Sequence, residues 1–144
     1  MRPVCAALLL FLALAPLLSA ADEFSGPYPA RVLRVTDGDT VHVAVDIWPG
    51  FTWTGAVRLT GVDTPELRGS PPCERALAEA AAAFTRRFLS EARTIKVSGI
   101  GLGKYAGRVL GSIQADGRDL AAALLAAGHA RPYDGGSRAA KWCG

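Results

Sequence analysis

The stretch Asp37-Gly38-Asp39-Thr40-Val41-His42-Val43-Ala44-Val45-Asp46-Ile47 decides how the rest of the chain is read. Asp37-Gly38 is a turn signal, because aspartate hydrogen-bonds its neighbouring backbone and glycine tolerates tight geometry. From Val41 onward the apolar residues Val41, Val43, Val45 and Ile47 fall at every second position, which predicts a half-buried β-strand with His42 facing solvent. Upstream, residues 31–36 alternate loosely and predict a first strand that ends at the same turn. Downstream, residues 48–55 carry Pro49, Gly50 and Gly55 and read as a hairpin connection with Phe51 and Trp53 near its tip. A third strand follows over residues 56–62, with Val57 and Leu59 on one face and Arg58 and Thr60 on the other.

The pattern changes after Gly69. Ser70 is placed to cap a helix and Pro71 suits its first turn, while Leu77, Ala81, Phe84 and Phe88 recur at helical spacing as a core-facing side. Strand signals return over residues 94–98 and 108–115, and Asp116-Gly117 marks the next turn. A second helix has Asp119 as its cap, Leu120 and Leu124 on one face, and Gly128 as its stop. Five strands, with one helix after the third and another after the fifth, predict a mixed α+β chain that is mainly β. The order fits a five-stranded OB-fold barrel with two flanking helices.

Length and composition bound the reading. One domain fits 144 residues, of which 50% are hydrophobic, and a formal charge of +3 is compatible with a polyanionic partner without demanding one. Residues 1–21 read as a signal peptide: Arg2 supplies a positive start, residues 6–18 are apolar, and Ser19, Ala20 and Ala21 precede the polar Asp22. The apolar run is shorter than the ~20 residues that span a bilayer. The expectation is therefore export, to the periplasm or the medium, with no membrane span in the mature chain. Residues 22–29 read as a flexible lead-in, and residues 30–144 as one domain. Export leaves Cys73 and Cys143 as the cysteines of the mature chain, and they can pair, closing a loop of about 70 residues; two free thiols are the alternative. A zinc site is disfavoured, because His42 and His129 are isolated and neither cysteine has a ligand partner nearby.

The densest chemistry lies in Asp37-Gly38-Asp39-Thr40 and in Arg58-Leu59-Thr60-Gly61-Val62-Asp63-Thr64-Pro65-Glu66. If the second and third strands are neighbours, Asp39, Asp63 and the Thr64 carbonyl can converge on one hard cation, which prefers oxygen ligands. Turn chemistry alone also explains Asp-Gly and Thr-Pro.

These segments, together with Lys104-Tyr105-Ala106-Gly107-Arg108, resemble the staphylococcal-nuclease (thermonuclease) family over nearly all of residues 31–133. The resemblance implies the OB-fold and a Ca²⁺-dependent nuclease that leaves 3′-phosphates, acting on DNA, with RNA left open, as a monomer. It implies that Asp39, Asp63 and the Thr64 carbonyl ligate Ca²⁺, that Glu66 orients or deprotonates the attacking water, and that Arg58 and Arg108 bind the phosphate. Tyr105, Tyr133 and Lys104 become substrate-binding candidates. The chain departs from the family form in Gly103, in an extra residue before Arg108, in a longer hairpin around residues 48–55, and in a reduced or absent C-terminal helix. An inactive OB-fold module that binds nucleic acid or peptide is the alternative function.

Overall fold

The computed structural model describes residues 24–137 and 141–143; the expected signal peptide lies outside them. The first long strand, β1 (Tyr28–Asp37), turns through Gly38 and Asp39 into β2 (Thr40–Trp48), which pairs with it antiparallel. Val41, Val43 and Val45 of β2 are fully buried, as the period-two pattern requires. The strand β3 (Phe51–Leu59) returns antiparallel to β2, and a two-residue strand β4 (Val62–Asp63) follows the turn at Gly61. After the helix α1 (Pro72–Ser90) come β5 (Ile95–Leu102), β6 (Arg108–Ala115) and the short β7 (Arg118–Asp119), then the helix α2 (Leu120–Ala126) and the short β8 (Arg131–Pro132).

The five long strands close on themselves. β1 pairs with β2 and β5, β2 with β3, β5 with β6, and β6 returns to β3 in parallel, with Arg58 opposite Leu110. This is the five-stranded OB-fold barrel with two helices. Register shifts in β1 and β5 supply the local bends that closure needs. The interior is filled by the β2 valines with Val57, Leu59, Val97 and Ile113, and by Phe88 and Leu89 from α1 and Leu120 and Leu124 from α2.

Several local expectations are corrected. Pairing starts before residue 30: Phe24 exchanges backbone hydrogen bonds with Ile100, so residues 24–29 are tied to β5. The connection at residues 48–55 is a tight turn at Pro49-Gly50 between long strands, with Trp48 paired to Phe51. Trp53 is not at the tip; its indole folds over Gly55, where an added Cβ would overlap the ring. The N-cap of α1 is Pro71, which makes no side-chain cap hydrogen bond, and Ser70 lies outside the helix. The buried side of α1 is Ala78, Ala81, Ala82, Thr85, Phe88 and Leu89, and Leu77 is exposed. Small residues face inward there because the helix lies close against the turn between β1 and β2.

The second helix matches its reading. The Asp119 carboxylate accepts the Ala122 N–H at 2.8 Å, Leu120 and Leu124 are fully buried, and Gly128 takes the left-handed backbone that ends it. Cys73 and Cys143 form a disulfide with Cα atoms 6.4 Å apart, joining the first turn of α1 to the end of the chain. Among the described residues no helix is long and apolar enough to cross a membrane.

Candidate active site

The turn between β1 and β2 is set by α1. Gly38 packs so closely that a Cβ there would stand 2.7 Å from the Ala81 Cβ and about 3 Å from Thr64 side-chain atoms. The Gly38 carbonyl accepts a hydrogen bond from the buried Thr85 hydroxyl at 2.6 Å. Glycine is thus required by close approach, and the helix fixes the aspartates on either side. Asp39, 4% exposed, ties the two acidic segments together: its Oδ2 accepts the Thr64 N–H at 2.8 Å, its Oδ1 accepts the Thr40 hydroxyl at 3.1 Å, and its carbonyl accepts the Leu59 N–H. Asp37 accepts the Leu67 N–H at 3.3 Å and so holds the loop that carries Glu66. Burial, and then the nearby charges of Asp39 and Glu66, raise the Asp37 carboxyl above its usual range, although the Leu67 hydrogen bond opposes them.

Arg58 projects from β3 into this acidic corner. Its Nη1 lies 2.8 Å from Asp39 Oδ2 and donates to the Val62 carbonyl at 2.9 Å, while its Nη2 lies 2.9 Å from Asp63 Oδ1. One planar guanidinium therefore bridges a carboxylate of the β1–β2 turn and one of β4, a geometry that an ammonium could not reproduce. The Thr64 side chain is buried, and its Oγ1 has no hydrogen-bond partner. The Asp39 and Asp63 carboxylates are oxygen donors, the type that suits a hard divalent cation better than zinc, and in this structure both are engaged by the Arg58 guanidinium. Among the described residues no three His, Cys, Asp or Glu side chains form a ready-made metal cage.

Beside this corner opens a groove of about 760 Å³, lined by Arg58, Asp63 and Glu66 on one side and by Lys104, Tyr105 and Arg108 on another. Tyr133, Asp134, Gly135 and Gly136 form a further wall. Arg108 stands at the start of β6, two residues before Leu110, which is opposite Arg58 in the parallel pair. In the loop before Arg108, Gly107 has a φ of +80°, and Arg108 lines the same groove as Arg58. Its guanidinium lies 5.4 Å from the centre of the exposed Tyr105 ring. Lys104 is turned to the opposite wall, donating from Nζ to the Gly135 carbonyl at 3.0 Å. The Tyr133 hydroxyl donates to the Gly136 carbonyl at 2.7 Å.

The histidines stay outside the groove. His42, half-buried on β2, lies 2.9 Å from an Arg34 nitrogen, and His129 packs against the Phe84 ring. Sequence reasoning did not find the Asp37 bond to Leu67, the Thr85 bond to Gly38, or the stacking of the Arg131 guanidinium 3.9 Å over the Trp142 ring. The first two join segments 30 and 47 residues apart, and no local pattern announces such partners.

A closed OB-fold barrel carries a groove lined by two arginines, a lysine, three carboxylates and two tyrosines, a set whose guanidinium groups can meet a phosphate-bearing substrate. The chain belongs to the staphylococcal nuclease homologue family, whose profile matches residues 56–141. That match contains Arg58, Asp63, Thr64, Glu66 and Arg108 but begins after the Asp37-Gly38-Asp39 turn, which the structure joins to it through Asp39. No curated protein matches the chain.

Proposed function

We propose that the chain is an exported, monomeric, Ca²⁺-dependent nuclease that hydrolyses phosphodiester bonds of DNA to 3′-phosphate and 5′-hydroxyl products. RNA is a second substrate to be measured beside it. The observation that carries this reading is the placement of Arg58, Arg108, Asp63 and Glu66 on one groove. Attack of water on phosphorus builds negative charge on the equatorial oxygens and on the departing 5′ oxygen. The guanidinium of Arg108 donates to the phosphoryl oxygens across the groove. Arg58, which Asp39, Asp63 and the Val62 carbonyl hold at the edge of the groove, supplies the second guanidinium. Glu66, exposed on the same groove, accepts a hydrogen bond from the attacking water and takes its proton as the new P–O bond forms and the P–O5′ bond breaks, and the departing 5′ oxygen takes a proton from solvent water to leave as the hydroxyl. Tyr105 and Tyr133 offer ring faces to the flanking bases. Asp39, Asp63 and the Thr64 carbonyl would hold Ca²⁺, which when bound supplies further positive charge against the phosphoryl oxygens.

Glu66→Gln tests the assignment of the base. It removes proton acceptance but keeps the shape of the side chain, so kcat is expected to fall by about 10²- to 10⁴-fold with little change in KM. Wild-type kcat in that variant refutes the role of Glu66.

A further inference from the structure

The chain beyond α2 has little of its own to hold it in place. Past Ala130 the described residues bury no large apolar side chain, and their regular structure is the two-residue β8 paired with β4. Yet Tyr133, Asp134, Gly135 and Gly136 form a wall of the groove. The seating of that wall is polar and covalent. Tyr133 donates its N–H to the Gly61 carbonyl at 3.0 Å, Lys104 reaches Gly135, and Trp142 donates its N–H to Glu74 at 3.1 Å. The Trp142 ring lies beneath the Arg131 guanidinium, and the next residue is bonded to Cys73. Arg131 stands opposite Asp63 across the β4–β8 pair, and directly opposed residues share a face.

We propose that this segment is a substrate-binding wall whose seating depends on the Cys73–Cys143 bridge, with Trp142 as the positioning residue that carries the constraint to Arg131 and on to the wall. The inference rests on the nuclease reading for its substrate. A dithiol reductant delivers two electrons and two protons to the bridge, leaving two thiols, and departs as its own disulfide. The freed tail is then held by hydrogen bonds near the surface, each of which competes with water. The bridge joins α1 to residue 143, neither of them in a barrel strand, so the barrel is expected to stay folded on reduction.

The test uses the full chain in three forms: oxidised, reduced with dithiothreitol and alkylated, and oxidised Trp142→Ala. Cleavage of a single-stranded DNA oligonucleotide is followed together with amide exchange at Tyr133 and, as the barrel control, at Val97. Reduction is expected to raise KM by about tenfold or more, the scale of one lost base-stacking contact, with kcat changed far less. The Tyr133 amide then exchanges faster and the Val97 amide does not. Trp142→Ala moves KM the same way, and Trp142→Phe restores it because a ring again supports Arg131. Unchanged KM and unchanged Tyr133 exchange in the reduced form overturn the proposal. If reduction unfolds the barrel, the oxidised Trp142→Ala form decides by the same two readouts. A chain that cuts DNA in no form refutes the nuclease reading, while Tyr133 exchange still decides whether the bridge seats the wall.

Discussion

Replacing Arg58 with alanine is expected to weaken the fold as well as the chemistry. The guanidinium is 11% exposed, and the Asp39 and Asp63 carboxylates that it bridges are 6% and 13% exposed. Removing one partner of a buried ion pair leaves its counter-charge uncompensated and costs about 3–5 kcal/mol. Asp39 keeps the Thr64 N–H and the Thr40 hydroxyl as partners, which places the loss near the lower end, at about 3 kcal/mol. For a chain of this size that corresponds to a fall in melting temperature of about 10 °C. Arg108→Ala is the matched control, because its guanidinium is half-exposed and stacks on an exposed ring, so its cost should stay within about 0.5 kcal/mol. Both variants should lose cleavage, and only the first should lose stability. Thermal unfolding followed by circular dichroism, in the presence of chelator, separates them. An Arg58→Ala melting point within about 2 °C of the parent refutes the claim that this arginine holds the two acidic segments together.

Gly38→Ala is expected to cost about 1–3 kcal/mol through overpacking against Ala81, and to lower cleavage by displacing Asp39. Adding Ala81→Gly should recover part of that loss; strictly additive effects in the double variant would show that the contact is not the cause. Asp116 accepts hydrogen bonds from the Arg93 and Thr94 N–H groups and from the Thr94 hydroxyl, which hold its carboxyl below the usual 3.8. A depressed carboxyl stabilises the fold above its unfolded pKa, and that contribution disappears as pH falls below 3.8 through the folded value. The stability difference between the parent and Asp116→Ala should therefore be present at neutral pH and shrink on acidification; a difference that is constant with pH contradicts this.

Much of the fold is legible in the sequence where one residue type has one physical use. The alternation of Val41, Val43 and Val45 can serve only a strand with one buried face, and Asp119 before an alanine-leucine run caps a helix wherever it occurs. The pairing of Cys73 with Cys143 is also legible, since Cys5, the other cysteine, falls in the stretch read from sequence as a signal peptide. The expectations that failed are those in which residue type has two uses. Pro49 and Gly50 serve equally in a long loop or a two-residue turn, and the exposed Trp48 and Phe51 carry no burial signal to extend the strands. The alanines of α1 look like filler until the Gly38 turn is placed against them.

The same holds at the site. Arg58, Asp63, Glu66 and Arg108 stand out because their motif is dense, and the structure brings all four to one groove. What could not be read is that Arg58 is already engaged by Asp39 and Asp63, because Asp39 lies 19 positions earlier and only the β2–β3 pairing, with Thr40 opposite Arg58, brings it near. Lys104 illustrates the limit in the other direction: a basic residue in the motif is turned to the backbone of the far wall.

The central claim is tested most directly by incubating the purified chain with single-stranded and duplex DNA, once with added calcium and once with a chelator, and resolving the product ends. Cutting that requires calcium and leaves 3′-phosphates is the expected result. A folded chain that binds DNA without cutting it under either condition contradicts the account and makes the groove a binding surface.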